Sequence, residues 1–278
     1  MTLFTMALLV ALGSFGAGLL GALTGLGGGI VVVPMLTIVF HVDLRYAIGA
    51  SLVSVIATSS GAAAAFVREG YTNVRVGIFL EVATTMGAVA GAALASLVPT
   101  SALSVLFGVM LLYIAYRSSQ QREEYATDEP PHPWAVRMRL NGSYPTAQGM
   151  TSYSVQGVPA GFALMGVAGM LSALLGIGSG VVKVLAMDKM MRLPFKVSTT
   201  TSNFMIGVTA AASAGIYLSR GYIDPALAAP AVLGVLAGSA LGARILAAAR
   251  SNVLRLVFTA VVLIMGIEMV VQGLRGAV

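Results

Sequence analysis

Residues 24–36 read TGLGGGIVVVPML, so four glycines, Gly25, Gly27, Gly28 and Gly29, interrupt an otherwise apolar sequence. Each glycine inside a helix costs about 1 kcal/mol relative to alanine. A short hydrophobic run and then Pro34 follow at once. The stretch therefore predicts that one helix ends at the glycines and that a short second one begins there.

The composition places this break in a membrane protein. The 278 residues are 58% hydrophobic and only 9% charged, with a mean hydropathy of +0.92. Soluble domains average about 25% charged residues, because charge covers their surface. The net charge of +6 does not indicate nucleic-acid binding here, since the basic residues lie in short loops between apolar runs. The sequence contains no cysteine, which excludes disulfides and thiolate metal sites.

The apolar runs form two groups of five, separated by a polar linker. We expect a first transmembrane repeat over residues 1–116, a cytoplasmic linker over 117–156, and a second repeat over 157–278. The runs are continuous and too long for barrel strands, so helices are expected. The runs are Leu3–Thr24, Ile30–Phe40, Ala47–Val67, Val76–Val98, Ala102–Tyr116, Val158–Leu175, Val181–Met187, Ser198–Leu218, Leu227–Ala248 and Val253–Leu274.

The two groups match at a constant offset of 151 residues, which indicates duplication. GLGGG at 25–29 lies over GIGSG at 176–180, and Gly70-Tyr71 lies over Gly221-Tyr222. Further matches place Ser51 over Ser202, Thr58 over Thr209, Gly87 over Gly238 and Gly91 over Gly242.

The distribution of Lys and Arg favours inverted repeats. If the chain folds back at each glycine cluster, as a short full span or a re-entrant piece, each half crosses the membrane an odd number of times. One side then receives only Arg45, Arg220 and Arg275, and the other receives the remaining loop charges. This bias matches the positive-inside rule. We therefore expect an all-α polytopic protein of two inverted repeats, each a Gly-rich broken-helix hairpin plus three transmembrane helices. Both termini would lie outside and the linker in the cytoplasm.

The glycine clusters are candidate anion sites. Broken helices in inverted-repeat transporters meet near the midplane, where half-helix N-termini face anionic substrates. Close packing of helices through small residues is the alternative explanation. The candidate substrate-binding residues in the two clusters are Gly27, Gly28, Gly29, Gly178, Ser179 and Gly180.

Polar side chains on the following helices extend this candidate site. Ser51, Ser202 and Asn203 could hydrogen-bond an oxyanion without adding a permanent charge. Serine hydroxyls in membrane helices also bond back to their own helix carbonyls, which is the simpler explanation for any one of them. Asn203 is different, because an amide has four bonding positions to satisfy.

Two ionisable residues lie within the apolar runs. Lys183 could neutralise an anion or extend to the cytoplasmic face, and Glu81 could relay a proton or pair with a basic residue. We predict that they serve charge balance or coupling. His41 and His132 lie in loops without metal-ligand neighbours, so neither a metal nor a cofactor is expected. No catalytic constellation is present, so we do not expect an enzyme.

Three motifs resemble the TauE/SafE sulfite exporter family, also called the toluene-sulfonate uptake permeases. They are GLGGG at 25–29 followed by Pro34, AIGAS at 47–51, and Gly70-Tyr71. The resemblance covers nearly the whole chain. It implies an inner-membrane carrier for small sulfur-containing anions such as sulfite, thiosulfate or sulfonates like sulfoacetate. The second half departs from the pattern at Ser179, Lys183 and Leu185.

We therefore predict a transporter that moves such anions by alternating access, in the direction of export. An inside-negative potential drives an anion outward by about 2.3 kcal/mol per charge per 100 mV, so export needs no further coupling. Uptake would need a co-transported cation, for which Glu81 is the candidate. An anion channel and a non-transporting scaffold or accessory subunit stay as alternatives, and homo-oligomers are left open.

Overall fold

The protein is built almost entirely of helices. The computed structural model describes residues 3–24, 28–68, 70–119, 132–146, 149–246 and 251–276. The first half contains α1 (Leu3–Thr24), α2 (Gly29–Pro34), a π-helical turn (Met35–Val39), α3 (Leu44–Arg68), α4 (Val74–Leu94) and α5 (Thr100–Ser119). The second half contains α7 (Val158–Leu175), α8 (Gly180–Leu185), a π-helical turn (Ala186–Met190), α9 (Phe195–Ser219), α10 (Pro225–Leu246) and α11 (Ser251–Arg275).

Between the halves lies a small folded unit. It consists of α6 (Pro133–Arg137) and an antiparallel hairpin of β1 (Gly142–Thr146) and β2 (Gly149–Tyr153). The predicted linker is thus folded over much of its described length, and α5 continues to Ser119, beyond the predicted end at residue 116. The unit is held to the helices by Asn73, which caps α4 through Val76 N–H at 3.1 Å.

Asn73 also ties this unit to both halves of the protein. Its amide nitrogen Nδ2 donates to Leu140 O and to the Tyr153 hydroxyl, each at 2.8 Å. Its backbone N–H donates to the Thr201 hydroxyl on α9 at 3.0 Å. Burial raises the pKa of Tyr153, partly offset by this hydrogen bond, so its hydroxyl stays protonated near neutral pH.

The duplication extends to secondary structure. Adding 151 to the bounds of α2, its π-helical turn and α3 gives those of α8, its π-helical turn and α9. The loops agree as well: His41 and Arg192 have φ of 53° and 54°, and Gly70 and Gly221 have φ of 76° and 75°. The Val42 N–H donates a hydrogen bond to Leu36 O at 3.1 Å, and the Leu193 N–H donates one to Met187 O at 2.9 Å. Both π-helical turns are therefore followed by the same C-terminal capping arrangement, with a left-handed residue before the donor.

The helix pairs also follow the repeat, because equivalent helices of the two halves form equivalent pairs. The pair α1–α10 corresponds to α7–α4, while α3 packs on its counterpart α9 and α5 on its counterpart α11. At equivalent places a Cβ on Gly87 would strike Gly166 O, and one on Gly238 would strike Phe15 O. Glycine thus permits close backbone approach in both pairs. The opposite membrane orientation of the halves stays a prediction.

Five described helices are long and apolar enough to cross a membrane. These candidate spans are Phe4–Gly21, Val74–Leu94, Val158–Leu175, Pro225–Gly242 and Leu256–Arg275. The helices α3 and α9 are as long, with 25 residues each, but they carry the serine and threonine runs and lie at the centre of the packing. The predicted all-α polytopic membrane class is confirmed.

Each short arm is a half-length element rather than a full span. The helix α2 has six residues and its π-helical turn five, which together rise roughly 16 Å at 1.5 Å per residue. The hydrocarbon layer is about 30 Å thick. All six residues of α2 are buried, so this interrupted backbone is enclosed by protein, as an apolar medium demands. The length favours the re-entrant reading over the full span.

Candidate functional site

The predicted break in the second half is confirmed. The helix α7 ends at Leu175, and α8 begins at Gly180. Gly176, Gly178 and Ser179 between them have φ of 67°, 69° and 48°. Glycine adopts this left-handed conformation readily, whereas Ser179 does so at a cost of about 1–2 kcal/mol. Because all three residues are buried, the reversal is buried in protein.

The first break is described at its two edges. The helix α1 ends at Thr24 and α2 begins at Gly29, as the sequence predicts. Gly25 and the candidate Gly27 lie outside the described residues. Gly28 is buried and right-handed, with φ of −68°, and its carbonyl accepts the Val31 and Val32 N–H groups at 3.1 and 3.2 Å. Gly28 thus caps α2 in a different conformation from Ser179, its counterpart before α8.

The two breaks meet at α3. The Ser51 hydroxyl lies 2.7 Å from Gly176 O in the second break and 3.3 Å from Gly29 O in the first. Its counterpart Ser202 donates to Gly180 O at 3.3 Å. A hydroxyl has one proton, and here both serines direct it at backbone carbonyls. In this arrangement the two serines brace the breaks, while their predicted contact with substrate stays a prediction.

Two polar side chains of the second half, Ser179 in the break and Asn203 on α9, have unused hydrogen-bonding capacity. The Ser179 side chain is 1% exposed, and its hydroxyl oxygen is buried without a partner in the described structure. Asn203, which follows Ser202 on α9, is 8% exposed, and its side chain has no hydrogen bond among the residues that the structure describes. Buried polar groups are normally satisfied, so such groups deserve an explanation.

Lys183 and Glu81 are brought together through a third residue. Lys183 Nζ donates to the Thr209 hydroxyl at 2.6 Å, and this hydroxyl donates to Glu81 Oε1 at 2.7 Å. Lys183 is fully buried, so the alternative in which it extends to the cytoplasmic face is wrong. Its N–H bonds Ser179 O at 3.0 Å, which places the lysine one helical turn beyond the break.

Thr209 is the residue whose role sequence reasoning missed. The sequence singled it out only as the match of Thr58 in the repeat. The available signal was the pair of oppositely charged residues inside the apolar runs, because buried charges in membranes usually pair with one another. The sequence could not show that Thr209 connects the two charges, because Glu81, Lys183 and Thr209 lie on three separate helices whose packing is not given by their spacing in the sequence.

Glu81 lines a cleft of about 460 Å³ between α4 and α9. Four of the residues lining its mouth, Ile78, Val82, Met86 and Val208, are each more than half exposed, so it opens on the apolar outer surface. Its remaining lining is Glu81, Thr85, Phe204 and Met205. Among the described residues, no three His, Asp or Glu side chains are grouped closely enough to hold a metal ion.

Comparison with known proteins agrees with this architecture. A family model described as "Sulfite exporter TauE/SafE" matches residues 10–269. The chain is 28% identical over 274 residues to the "Probable membrane transporter protein YunE" of Bacillus subtilis (strain 168), covering 96% of this chain and 98% of the relative. It is 26% identical over 238 residues to the "Probable membrane transporter protein YdhB" of the same organism, covering 85% of this chain and 89% of the relative.

No solved structure matches the chain significantly. The family match spans nearly the whole sequence and both halves of the fold, including both breaks and the residues Glu81, Lys183 and Thr209. Together with the apolar helices, it makes the chain a multi-pass membrane protein. The chain therefore belongs to the sulfite exporter TauE/SafE family of membrane transporters.

Proposed function

We propose that this protein carries small sulfur-containing anions, such as sulfite, thiosulfate or sulfonates like sulfoacetate, outward across the inner membrane by alternating access. The family description supports sulfite as one member of the substrate class, and both relatives are named as membrane transporters. The structure supports an anion site through the meeting of its two breaks.

The observation that carries the proposal is the contact between halves at the breaks. The Ser51 hydroxyl reaches the Gly176 carbonyl of the other half at 2.7 Å. The start of α2 and the end of α7 therefore meet at Ser51 on α3, and α8 begins at Gly180, four residues after Gly176. The first amides of a helix have no intrahelical partner, and they carry the positive end of the helix dipole. An oxyanion held there would accept hydrogen bonds from both halves.

Side chains complete the proposed binding site. The buried hydroxyl of Ser179 and the side-chain amide of Asn203, a residue that is 8% exposed, each have donors that no described residue uses. A sulfonate or sulfite oxygen would satisfy both. The candidates Gly28, Gly29, Gly178 and Gly180 would contribute backbone amides, and Lys183, one turn beyond Ser179, supplies positive charge. The glycines also pack closely, since a Cβ on Gly28 would lie 2.7 Å from Val235 Cγ1 and one on Gly29 2.6 Å from Val55 Cγ2.

The two halves would move as inverted repeats around this site, with both termini outside and the linker unit in the cytoplasm. The recurrence of every major element at an offset of 151 residues supports such a pair of rocking units. For a carrier of this kind, the inside-negative potential favours outward anion movement by about 2.3 kcal/mol per charge per 100 mV.

The test is transport by the purified protein in proteoliposomes, with sulfite, thiosulfate and sulfoacetate as substrates and acetate as the comparison anion. We expect saturable flux that is stimulated by the same anion on the opposite side. Ser179→Ala should raise the half-saturating concentration about tenfold, equal to one lost hydrogen bond of about 1.4 kcal/mol. Ser14→Ala is the matched control, because Ser14 also has a buried, unpartnered hydroxyl but lies on α1.

The alternatives give different results in the same assay. Rapid flux without stimulation by opposite-side anion would indicate a channel. Absence of flux, together with no anion-dependent thermal shift of the purified protein, would indicate a scaffold. Equal effects of Ser179→Ala and Ser14→Ala would remove the second break from the binding site.

A further inference from the structure

A buried ammonium and a partly buried carboxylate share one hydroxyl inside the helical bundle. Lys183 Nζ lies 2.6 Å from the Thr209 oxygen, which lies 2.7 Å from Glu81 Oε1. The lysine is fully buried, and an isolated charge at such a place is strongly unfavourable. The three residues therefore form a neutral unit when both ends are ionised, and a change at one end must affect the other.

One oxygen of this unit is unsatisfied. Glu81 Oε1 accepts from Thr209 and also from Thr85 at 3.3 Å, whereas Oε2 is buried and has no partner in the described structure. A buried carboxylate oxygen without a donor is a place where a proton can bind. A metal cation would suit it poorly, because the Lys183 ammonium is two short hydrogen bonds away.

No other charged group competes for Glu81 within the described packing. The helix α4 packs against α7 and α9, and α8 contributes Lys183. The helix α7 has no titratable residue, and on α9 Lys196 and Tyr217 lie more than two turns from Thr209. Asp188 lies five positions beyond Lys183, in the π-helical turn, and Arg75 lies near the start of α4.

Lys183 lies where it could contact the anion site in place of its present contact with Thr209 and Glu81. Its backbone N–H bonds Ser179 O, so the lysine lies one turn after the break on the same face. Helical side chains lean toward the N-terminus of their helix, which for α8 is the break itself. A rotamer change would therefore move Nζ from Thr209 toward the first amides of α8.

We propose that Glu81 is the proton-coupling group of this transporter, and that Glu81 and the transported anion compete for Lys183 through Thr209. The proposal rests on the anion-carrier function given above. In the empty carrier, the Glu81 carboxylate balances Lys183. When Oε2 takes up a proton, the carboxyl becomes neutral, and the ammonium turns to the anion. On the other side the anion leaves, the proton leaves, and the carboxylate regains Lys183.

The charge balance fixes what such a cycle moves. One proton accompanies each anion, so a monovalent sulfonate moves without net charge, and a dianion moves with one net negative charge. The first half offers no second unit, because the positions equivalent to Lys183 and Glu81 are Val32 and Val232. Only the threonine is repeated, as Thr58, whose hydroxyl contacts carbonyls of its own helix, Ser54 O and Val55 O. The Thr209 hydroxyl also lies 3.1 Å from a carbonyl of its own helix, Met205 O, but in addition it contacts Lys183 and Glu81.

Coupling changes the condition for export. An inward proton gradient opposes outward movement of an anion that carries a proton with it. For a monovalent anion, which moves without net charge, net export then requires an excess of anion inside that outweighs the proton gradient, and equal concentrations on the two sides give uptake. A dianion moves with one net negative charge, so the inside-negative potential still favours its export.

The experiment measures anion and proton movement together in proteoliposomes. The probes are thiosulfate and sulfoacetate, since neither changes its charge near neutral pH, and an internal pH dye reports protons. In the wild type, each anion gradient should drive proton movement in the same direction, and an imposed pH gradient should drive the anion. In Glu81→Gln, which mimics the protonated state, anion flux should persist while its coupled proton signal falls to that of protein-free liposomes.

Variants of the bridge keep the test decisive if Glu81→Gln does not fold. Thr209→Val should lower the number of protons moved per anion, and Thr209→Ser should retain it, because serine keeps the hydroxyl. Thr58→Val, the repeat-equivalent control, should behave as the wild type. A sodium gradient in place of the pH gradient should drive nothing.

The outcomes separate this inference from the function on which it rests. Wild-type anion flux that carries no protons and ignores the pH gradient would overturn the coupling and leave the anion carrier standing. Sodium-driven flux would overturn it in favour of a cation. Absence of any anion flux in the wild type would overturn both.

Discussion

Ser51 and Gly176 lie 125 residues apart in opposite halves of the chain, and the Ser51 hydroxyl donates a 2.7 Å hydrogen bond to the Gly176 carbonyl. This bond joins the central helix of one half to the break of the other. It satisfies a carbonyl that the left-handed turn removes from helical bonding. The interruption of the backbone is thus stabilised from across the molecule, which explains how it persists in an apolar medium.

The Ser51 bond makes a stability prediction. Ser51→Ala should destabilise the protein by about 1–3 kcal/mol, because a buried carbonyl loses its partner. Ser54→Ala is the matched control, since the Ser54 hydroxyl bonds only Ala50 O within its own helix, at 3.0 Å. Thermal unfolding in detergent is the measurement. Equal losses of stability from the two substitutions would show that the hydrogen bond between the halves contributes no more than one within a single helix.

The hydrogen-bonded group of Lys183, Thr209 and Glu81 makes a second prediction, which does not depend on transport. Lys183→Met leaves Glu81 without its counter-charge, and Glu81→Gln leaves Lys183 without its own. Each single change should destabilise by about 3–5 kcal/mol, whereas the double variant should cost much less than the sum. A double-mutant cycle from thermal unfolding measures the coupling. Additive losses would mean that Thr209 does not link the two residues energetically.

Much of the fold could be predicted from the sequence. The apolar runs, the glycine clusters and the offset of 151 residues determine the element order, because each reflects backbone geometry within one segment. The π-helical turns after α2 and α8 were not predictable. Pro34, which directly precedes the first turn, would explain only that one, since Leu185 precedes the second.

The candidate site was predictable only in part. Gly178, Ser179 and Asn203 were identifiable because their residue types are unusual in an apolar chain. The bridge through Thr209 and the direction of the Ser51 hydroxyl depend on how α3, α4, α8 and α9 pack. A single sequence contains no measure of that packing. The folded unit of α6, β1 and β2 was missed for a similar reason, since hydrogen bonds from Asn73 and apolar contacts of Leu140 and Tyr153 tie it to helices far away in sequence.

Because the helices of the pairs α1–α10 and α4–α7 pack closely, we expect no room for a larger side chain at two glycines. Gly87→Ala and Gly238→Ala should each lower stability by about 1–3 kcal/mol, because the added methyl group meets a backbone carbonyl that cannot move cheaply. Gly16→Ala, on α1 with open space around it, should be neutral or slightly stabilising. Thermal unfolding of the three variants compares them directly. A large effect at one glycine only would contradict equivalent packing of the two pairs.

Asn203 predicts an asymmetry between the halves. Its equivalent in the first half is Leu52, so Asn203→Leu copies one half onto the other. If the amide binds the anion, this substitution should weaken binding about tenfold, the effect of one lost hydrogen bond to a charged group. The measurement is the sulfite- or thiosulfate-dependent thermal shift of the purified protein. An unchanged shift at every concentration would exclude Asn203 from the binding site.

The predicted orientation of the halves can be tested with single cysteines, because the chain has none of its own. Ser219 ends α9 and Met150 lies on the linker hairpin, and both are exposed. With inverted halves the two residues lie on opposite sides of the membrane, whereas with parallel halves they share one side. A membrane-impermeant thiol reagent should therefore label Ser219→Cys in intact cells and Met150→Cys only after permeabilisation. Labelling of both from outside, or of neither, would show that the halves are parallel, and the rocking mechanism would then lose its symmetry.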